Sequence, residues 1–442
     1  MSRTRVGQPH RAYRPGMPGL CEKRTASAMD ATAHVRIEPA PADLHGGEGA
    51  ALRAAGPVAT VALPGGVVAK AVTTREAGLR VLSDPRFAKD IQHWEAYRHG
   101  RIPADWPLLF IVEGKGLLTA DGDTHRRLRR PVQRAISPRR VEALRPRVED
   151  VTCRLLAGLA TAPAGQETDL LRHFALPLPL DVICLLLGVP GEGTLRDELH
   201  ELSMAAMNSE ASVEEITGTV GRRFPATLMS LIERKRARGD RDDLTMDLVA
   251  ALDAGELSEA EVIGNLVVTV IGGHETTVNL ICHAVRGLLT HPETLAAARA
   301  RQEAGDDPWP DVVEEALRWE SPARHVMFRY ATEDVEVEAT SIRAGEAVFV
   351  PLAAIQRCPH AFPEPDRFDP GRYASGRAAG HLAFGAGAHR CPGAPLARLE
   401  AEIALRRLFE AYPRLALADR PVARVPSLGI NGFKELPVVL RP

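Results

Sequence analysis

The sequence predicts a mainly α-helical single domain with small β-sheets, on three observations. The 3.6-residue apolar periodicity recurs through most of the chain after residue 50; alternating strand patterns are confined to two stretches; and no repeat, low-complexity linker or composition break divides the region between them. At 442 residues the chain is long enough to enclose a cofactor in its core. Hydrophobic residues make up 45% and charged residues 25%, and a net charge of −2 gives no global attraction to nucleic acid or an anionic membrane. The six cysteines form no C-x-x-C pair, which points to a reduced, cytoplasmic protein.

Residues 1–40 read as a basic N-terminal extension, disordered by composition, and residues 45–442 as the globular domain. Up to Arg24 there are six Lys/Arg against one acid and no apolar run of the kind a secretory signal requires. A start at Met17 or Met29 is an alternative to a tail, as is an Arg-rich transit peptide. The segment "VATVALPGGVVAKAVTT" alternates around Pro-Gly-Gly and predicts a hairpin. Helices are expected at 139–159, 224–238 and 292–302, and strands return at 334–354. The longest helix signal begins at Ser258 and Glu261, which form a capping box, and ends at His291-Pro292, implying ~30 residues and ~45 Å. Its apolar run breaks at Gly272-Gly273-His274-Glu275, short of the ~20 residues a membrane span needs.

Several active-site classes are excluded. There is no phosphate-binding G-x-x-x-x-G-K-[ST], no G-x-G-x-x-G after a strand and no G-x-S-x-G elbow. His274-Glu275 begins like the zinc-protease H-E-x-x-H, but Val278 stands at the second histidine position. "AFGAGAHRCPGAPLARLEAEIAL" (383–405) fills F-x-x-G-x-x-x-C-x-G with Phe384, Gly387, Cys391 and Gly393. A thiolate that holds iron needs N–H donors around it and a backbone free to approach the metal plane, which Gly385, Gly387 and Gly393 allow. A helix starts after Pro392, and its dipole is expected to lower the Cys391 pKa. Zinc held by Cys358, His360, His389 and Cys391 would match no usual spacing.

Upstream, in order, stand Glu315 and Arg318 in "EEALRWESP" and Arg372 in "FDPGRY". With these motifs the chain, from about Ala50 to its end, resembles the cytochrome P-450 family of haem-thiolate monooxygenases. The resemblance implies the cytochrome P-450 fold around a buried haem b (iron protoporphyrin IX), with Cys391 as axial iron ligand and Phe384 and Gly393 beside it. Glu315, Arg318 and Arg372 would form a buried structural cluster. "GGHETT" looks like the oxygen-activating segment: Gly272 and Gly273 would open the groove for O2, and Glu275 and Thr276 would manage protons. His125, Arg129, Arg329 and His389 match the usual propionate partners, although Pro131 is expected to kink the helix that carries Arg129. Gln356 and Cys358 stand where relatives commonly carry Asn and Asp.

The implied reaction inserts one oxygen atom from O2 into an apolar small molecule of secondary-metabolite type, such as a polyketide, steroid, terpenoid or small peptide. Electrons would come from NAD(P)H only indirectly, through ferredoxin reductase and ferredoxin, the latter docking on Arg126, Arg127, Arg130, Arg134, Arg390 and Arg398. Oxidative coupling or desaturation on the same iron is the alternative, and a non-catalytic partner protein a further one. A monomer is expected, with neither membrane nor nucleic acid as partner. The lid would be "IQHWEAYRHGRIPADWPLLFIVEGKGLL", with Trp94, Trp106, Leu117 and Leu118 lining the pocket. Met204, Met207, Val268, His325, Val326 and Ile430 are further wall candidates, and core packing explains each aromatic or Met about as well.

Overall fold

Six short strands draw distant parts of the chain into one sheet. They are β1 (Val35–Arg36), β2 (Val58–Leu63), β3 (Val67–Val72), β4 (Phe87–Ala88), β5 (His325–Ala331) and β6 (Ala347–Pro351), in the order β1-β2-β3-β6-β5-β4. The computed structural model describes residues 34–39, 43–106, 108–189, 193–206, 215, 218–240, 242–374, 376 and 379–441. The expected hairpin is present: β2 and β3 pair from Val58↔Val72 to Leu63↔Val67, and Gly65 and Gly66 take the positive φ angles, 75° and 72°, that the tight turn demands. The second strand region divides into a small hairpin (Val335–Val337 with Thr340–Ile342) and β6.

The composition-based boundary at residue 40 falls too late. Val35 and Arg36 pair in parallel with Val61 and Ala62, and Ile37 is buried, so residues 34–39 belong to the fold. A short apolar strand next to a basic stretch carries too little compositional signal to be separated from it. The rest of the expected extension, residues 1–33, lies outside the described residues.

Among the described residues, the helices longer than eight residues are α1 (Arg75–Ser83), α2 (Gly122–Ala135), α3 (Pro138–Leu159), α4 (Pro177–Leu187), α5 (Thr194–Ala206), α6 (Phe224–Arg238), α7 (Leu244–Asp253), α8 (Glu259–Thr290), α9 (Pro292–Glu303), α10 (Trp309–Trp319) and α11 (Ala394–Ala411). The ends of α8 follow the local chemistry. Ser258 Oγ accepts from the Glu261 N–H, Glu261 Oε2 accepts from the Ser258 N–H at 2.8 Å, and His291-Pro292 stops the helix after 32 residues. Leu266, Val270, Val278 and Ile281 are fully buried along it, so α8 runs through the main core rather than over it. No described helix is long and apolar enough to cross a membrane. Pro131 sits inside α2, yet the helix continues to Ala135 with His125 and Arg129 both on its buried side.

Arg318 and Glu315 on α10 are both fully buried and meet in a two-pronged pair at 2.7 and 2.8 Å. Arg318 also donates to the carbonyls of Gln356, Pro365 and Arg367, while Glu315 accepts from Arg372 Nε at 3.3 Å and the Asp369 N–H at 2.8 Å. Removing one partner would leave a buried charge or carbonyls without donors, at a cost of about 3–5 kcal/mol. Glu315→Ala is therefore expected to lower the urea midpoint sharply at unchanged m-value; a midpoint within error of wild type would remove this cluster from the stabilising framework.

Candidate active site

The loop ahead of α11 is shaped by two left-handed glycines, Gly385 (φ 65°) and Gly387 (φ 67°). A Cβ on Gly387 would lie 2.4 Å from the Leu82 carbonyl oxygen, so this position accepts no larger residue without displacing α1. The turn closes with the Cys391 N–H donating to Phe384 O at 2.8 Å. The sulfur then faces the start of α11, where the Gly393 and Ala394 N–H groups donate to it. The expected lowering of the thiol pKa is not what this environment produces. Burial dominates and raises it, against the two N–H donors, Arg129 and Arg390. Helix position is legible in a sequence; the depth at which the sulfur lies is not.

Cys391 opens onto a cavity of about 320 Å³. Phe384, Gly393 and Leu396 share its lower wall; Val268, Gly272 and Thr276 of α8 face it; Leu117, Leu118, His325 and Val326 complete it. The two glycines of α8 differ. A Cβ on Gly272 would meet nothing within 4 Å, whereas one on Gly273 would lie 2.3 Å from Ile183 Cδ1. Both glycines line the cavity; Gly272 provides open space, and Gly273 is also a packing notch for α4. Thr276 Oγ1 donates its proton to Gly272 O at 2.6 Å, which leaves its lone pairs as acceptors.

Glu275 is buried beside the cavity rather than among its lining residues. Burial pushes its carboxyl up to about 7. Its Oε1 lies 3.3 Å from Nδ1 of His274, whose own burial pushes the imidazole down to about 3. The Leu176 carbonyl, 3.2 Å from His274 Nε2, can only accept, so the single proton of the neutral ring sits on Nε2 and Nδ1 presents a lone pair to Glu275. Burial and the lone pair on Nδ1 therefore both favour the neutral acid.

One edge of the site gathers positive charge. Lys89, Arg329 and His389 line the cavity, the His125 ring lies tilted against that of His389 at 4.0 Å between centroids, and Arg129 reaches Arg390 O at 2.5 Å. The carboxylate among them, Asp121, already accepts from the Lys89 and Asp90 N–H groups and lies 3.7 Å from His389 Nε2. Burial lowers the pKa of His125 to about 4 and of Arg329 to about 10, and His125 Nε2 and Arg129 Nη1 are buried without a partner. Such an edge fits a group that carries two carboxylates, as the haem implied by the sequence resemblance would. Lys89, which donates to the Met327 and Phe328 carbonyls at 3.3 and 3.1 Å, is the member that sequence reasoning missed. Its only signal is the strand alternation that puts it on the same side as Phe87.

Other wall candidates lie elsewhere. Trp94 and Trp106 pack together at 5.6 Å and against Phe328, with Trp106 Nε1 bound to Pro64 O, so they form a satellite core under the lid rather than the cavity wall. Met204 is 41% exposed, and Ile430 is buried in a bridge to Ala323 outside the lining. Met207 lies outside the described residues. The basic run on α2 is partly neutralised within the chain: Arg126 meets Asp123, Arg130 meets Glu256, and Arg127 meets Glu261 at 2.6 Å. Arg398 is held by Glu314 and lies over the Phe384 ring at 4.7 Å, whereas Arg134 and Arg390 stay exposed.

The sequence profile described as Cytochrome P450 matches residues 309–421. Over 411 residues the chain is 37% identical to a 2-hydroxy-5-methyl-1-naphthoate 7-hydroxylase of Streptomyces carzinostaticus, covering 92% of this chain and 97% of that protein. It is 39% identical over 393 residues to the cytochrome P450 monooxygenase PikC of Streptomyces venezuelae, covering 88% and 89% of the two chains. Among solved structures, CYP154C4 from Streptomyces sp. W2061 superposes with a TM-score of 0.85 at 40% identity, over 92% of this chain and 98% of that one. The chain belongs to the cytochrome P450 family. Within it, the relatives make this chain a monooxygenase, and a haem-thiolate cofactor and O2 come with the family.

The folded Glu275 carboxyl, near 7, keeps a proton that the unfolded chain, near the ordinary 4.5, has released. The contribution of Glu275 to stability therefore falls as pH rises from about 4.5 to 7 and is level above that. Glu275→Gln is expected to remove this loss, gaining up to about 3 kcal/mol on wild type by pH 8 and far less at pH 5. Urea denaturation at the two pH values decides it: an equal margin at both would mean that Glu275 is ionised in the fold.

Proposed function

We propose that this protein hydroxylates an apolar secondary metabolite with O2, using haem b ligated by Cys391 and electrons delivered from NAD(P)H through ferredoxin reductase and ferredoxin in the cytoplasm. The carrying observation is a single cavity that joins the Cys391 thiol, a hydroxyl-bearing helix face and a basic edge of Lys89, Arg329 and His389, with the unpartnered His125 Nε2 and Arg129 Nη1 behind that edge. Bound there, the haem would supply the iron at which O2 is reduced and split.

The chain's own residues would divide the remaining work. His125, Arg129, Arg329, His389 and Lys89 would hold the two carboxylates and so fix the plane of the ring. The Gly393 and Ala394 N–H groups would stabilise the Cys391 thiolate, and Phe384 would keep water from it. Gly272 leaves room beside α8 for a diatomic molecule. Glu275, held neutral, stores a proton one residue from Thr276, whose oxygen lone pairs face the cavity and can take up a donor. Leu117, Leu118, Val268 and Val326 give the substrate an aliphatic enclosure, which supports an apolar molecule with few polar groups. The exposed Arg134 and Arg390 would meet an acidic redox partner. Catalysis by a monomer and a haem domain that takes in residues 34–39 as well as 45–442 complete this reading.

The reduced, CO-treated protein is expected to give the thiolate-type Soret band, and Cys391→Ala to lose it; a band that survives that substitution would overturn the ligand assignment. Thr276→Ala is expected to consume O2 with several-fold less product formed per O2, measured with an oxygen electrode alongside product analysis. Unchanged coupling would take Thr276 out of proton handling. Labelled O2 separates hydroxylation, which leaves one labelled oxygen in the product, from coupling or desaturation, which leaves none.

A further inference from the structure

Asn265 is fully buried on α8, eleven positions before Thr276, within an aliphatic stretch. Both ends of its amide are committed to other segments. Oδ1 accepts the Leu117 N–H at 3.0 Å, and Nδ2 donates to the Leu128 carbonyl at 3.0 Å. Leu117 belongs to the lid and lines the cavity; Leu128 lies on α2 between His125 and Arg129. The neighbouring residue shows how closely the lid sits. A Cβ on Gly264 would fall 1.4 Å from the Lys115 carbonyl oxygen, and one on Gly116 would fall 3.2 Å from the Gly264 carbonyl carbon. Lid backbone and helix backbone are therefore in direct contact, and only glycines permit it.

An aliphatic residue at 265 would strand a buried N–H and weaken the satisfaction of a buried carbonyl, at the expense of both segments. The first part of the lid is anchored separately, by the buried Trp94 and Trp106 and by the Glu95 N–H, which donates to Gly345 O at 3.0 Å, whereas the stretch at 115–118 meets α8 through Asn265 and the Gly116–Gly264 contact. From this juxtaposition we infer that Asn265 is a positioning residue for substrate selection: it latches the lid at Leu117, so that Leu117 and Leu118 form a fixed aliphatic roof tied to the helix bearing the cationic edge. Substrates are then chosen as compact apolar bodies that fit beneath a roof of set height. This inference rests on the monooxygenase reading for the identity of the cavity, and the latch itself can be measured without turnover.

Hydrogen–deuterium exchange of the haem-loaded full chain reads it directly. In Asn265→Ala the amides of 115–119 are expected to exchange about tenfold faster than wild type, with those of α10 unchanged. Asn265→Asp, compared at mildly acidic pH where its buried carboxyl is protonated, can accept from Leu117 and donate its O–H to the Leu128 carbonyl, and is expected to retain slow exchange. Should the alanine variant not fold, Asn265→Ser takes its place, with the same expectation. Clotrimazole is expected to associate about fivefold faster with the loosened variant while imidazole associates as before, because only the bulky azole must displace the roof. Wild-type exchange at 115–119 in the alanine or serine variant, or equal loosening in Asn265→Asp, would overturn the assignment. The CO band of each sample reports on the haem-thiolate reading separately, so its failure is distinguishable from failure of the latch.

Discussion

Water cannot reach the Arg318 guanidinium, so its N–H groups must be met by protein, and the way they are met organises the rest of the molecule. Glu315 takes two of them, and the others go to carbonyls in the segment 356–367. That segment is then held from its side as well: Gln356 Nε2 donates to the Leu317 and Arg318 carbonyls, while its Oε1 accepts the Leu382 N–H at 2.8 Å. Leu382 begins the turn that ends at Cys391. A pair of charges on α10 thus fixes the thiol loop through one glutamine, without touching the cavity. Desolvation makes the arrangement all or none, since any broken link leaves a buried polar group unmet.

The same penalty acts on both sides of the cavity. Behind α8 it keeps Glu275 and His274 neutral, as an acid and a base facing one another. At the far edge it lowers the pKa of Lys89, Arg129 and Arg329, and an anionic guest there would favour their charged forms. Between these regions lies an aliphatic wall that makes few polar demands. The division suits chemistry in which charge must be kept at the cofactor's rim and away from the reacting centre.

Much of this was legible in the sequence because it depends on local rules. The capping box at Ser258, the Pro-Gly-Gly hairpin and the glycine spacing around Cys391 are short-range signals with direct geometric meaning, and the helices fall where periodicity puts them. What was not legible depends on partners far along the chain. Asn265 and Leu117 are 148 positions apart, and nothing in a polar residue on an apolar helix names its partner. Lys89 reads as an exposed base until β5 closes over it. Trp94 and Trp106 look like pocket aromatics, but an aromatic ring specifies burial without specifying which cavity or core receives it. The Cys391 pKa failed for a related reason: the helix terminus is local, and the desolvation that outweighs it is not.

Glu261 carries two duties that bear on how the protein would meet other molecules. Its carboxylate closes the cap of α8 at Ser258 and also takes Arg127 of α2, interactions that hold it ionised down to about pH 2. An acidic protein settling on this face must compete with that carboxylate for Arg127, so association would draw on the bonds that begin the longest helix. Ionic strength would screen the Arg127–Glu261 pair, while the hydrogen bonds between Glu261 and Ser258 keep the start of the longest helix capped.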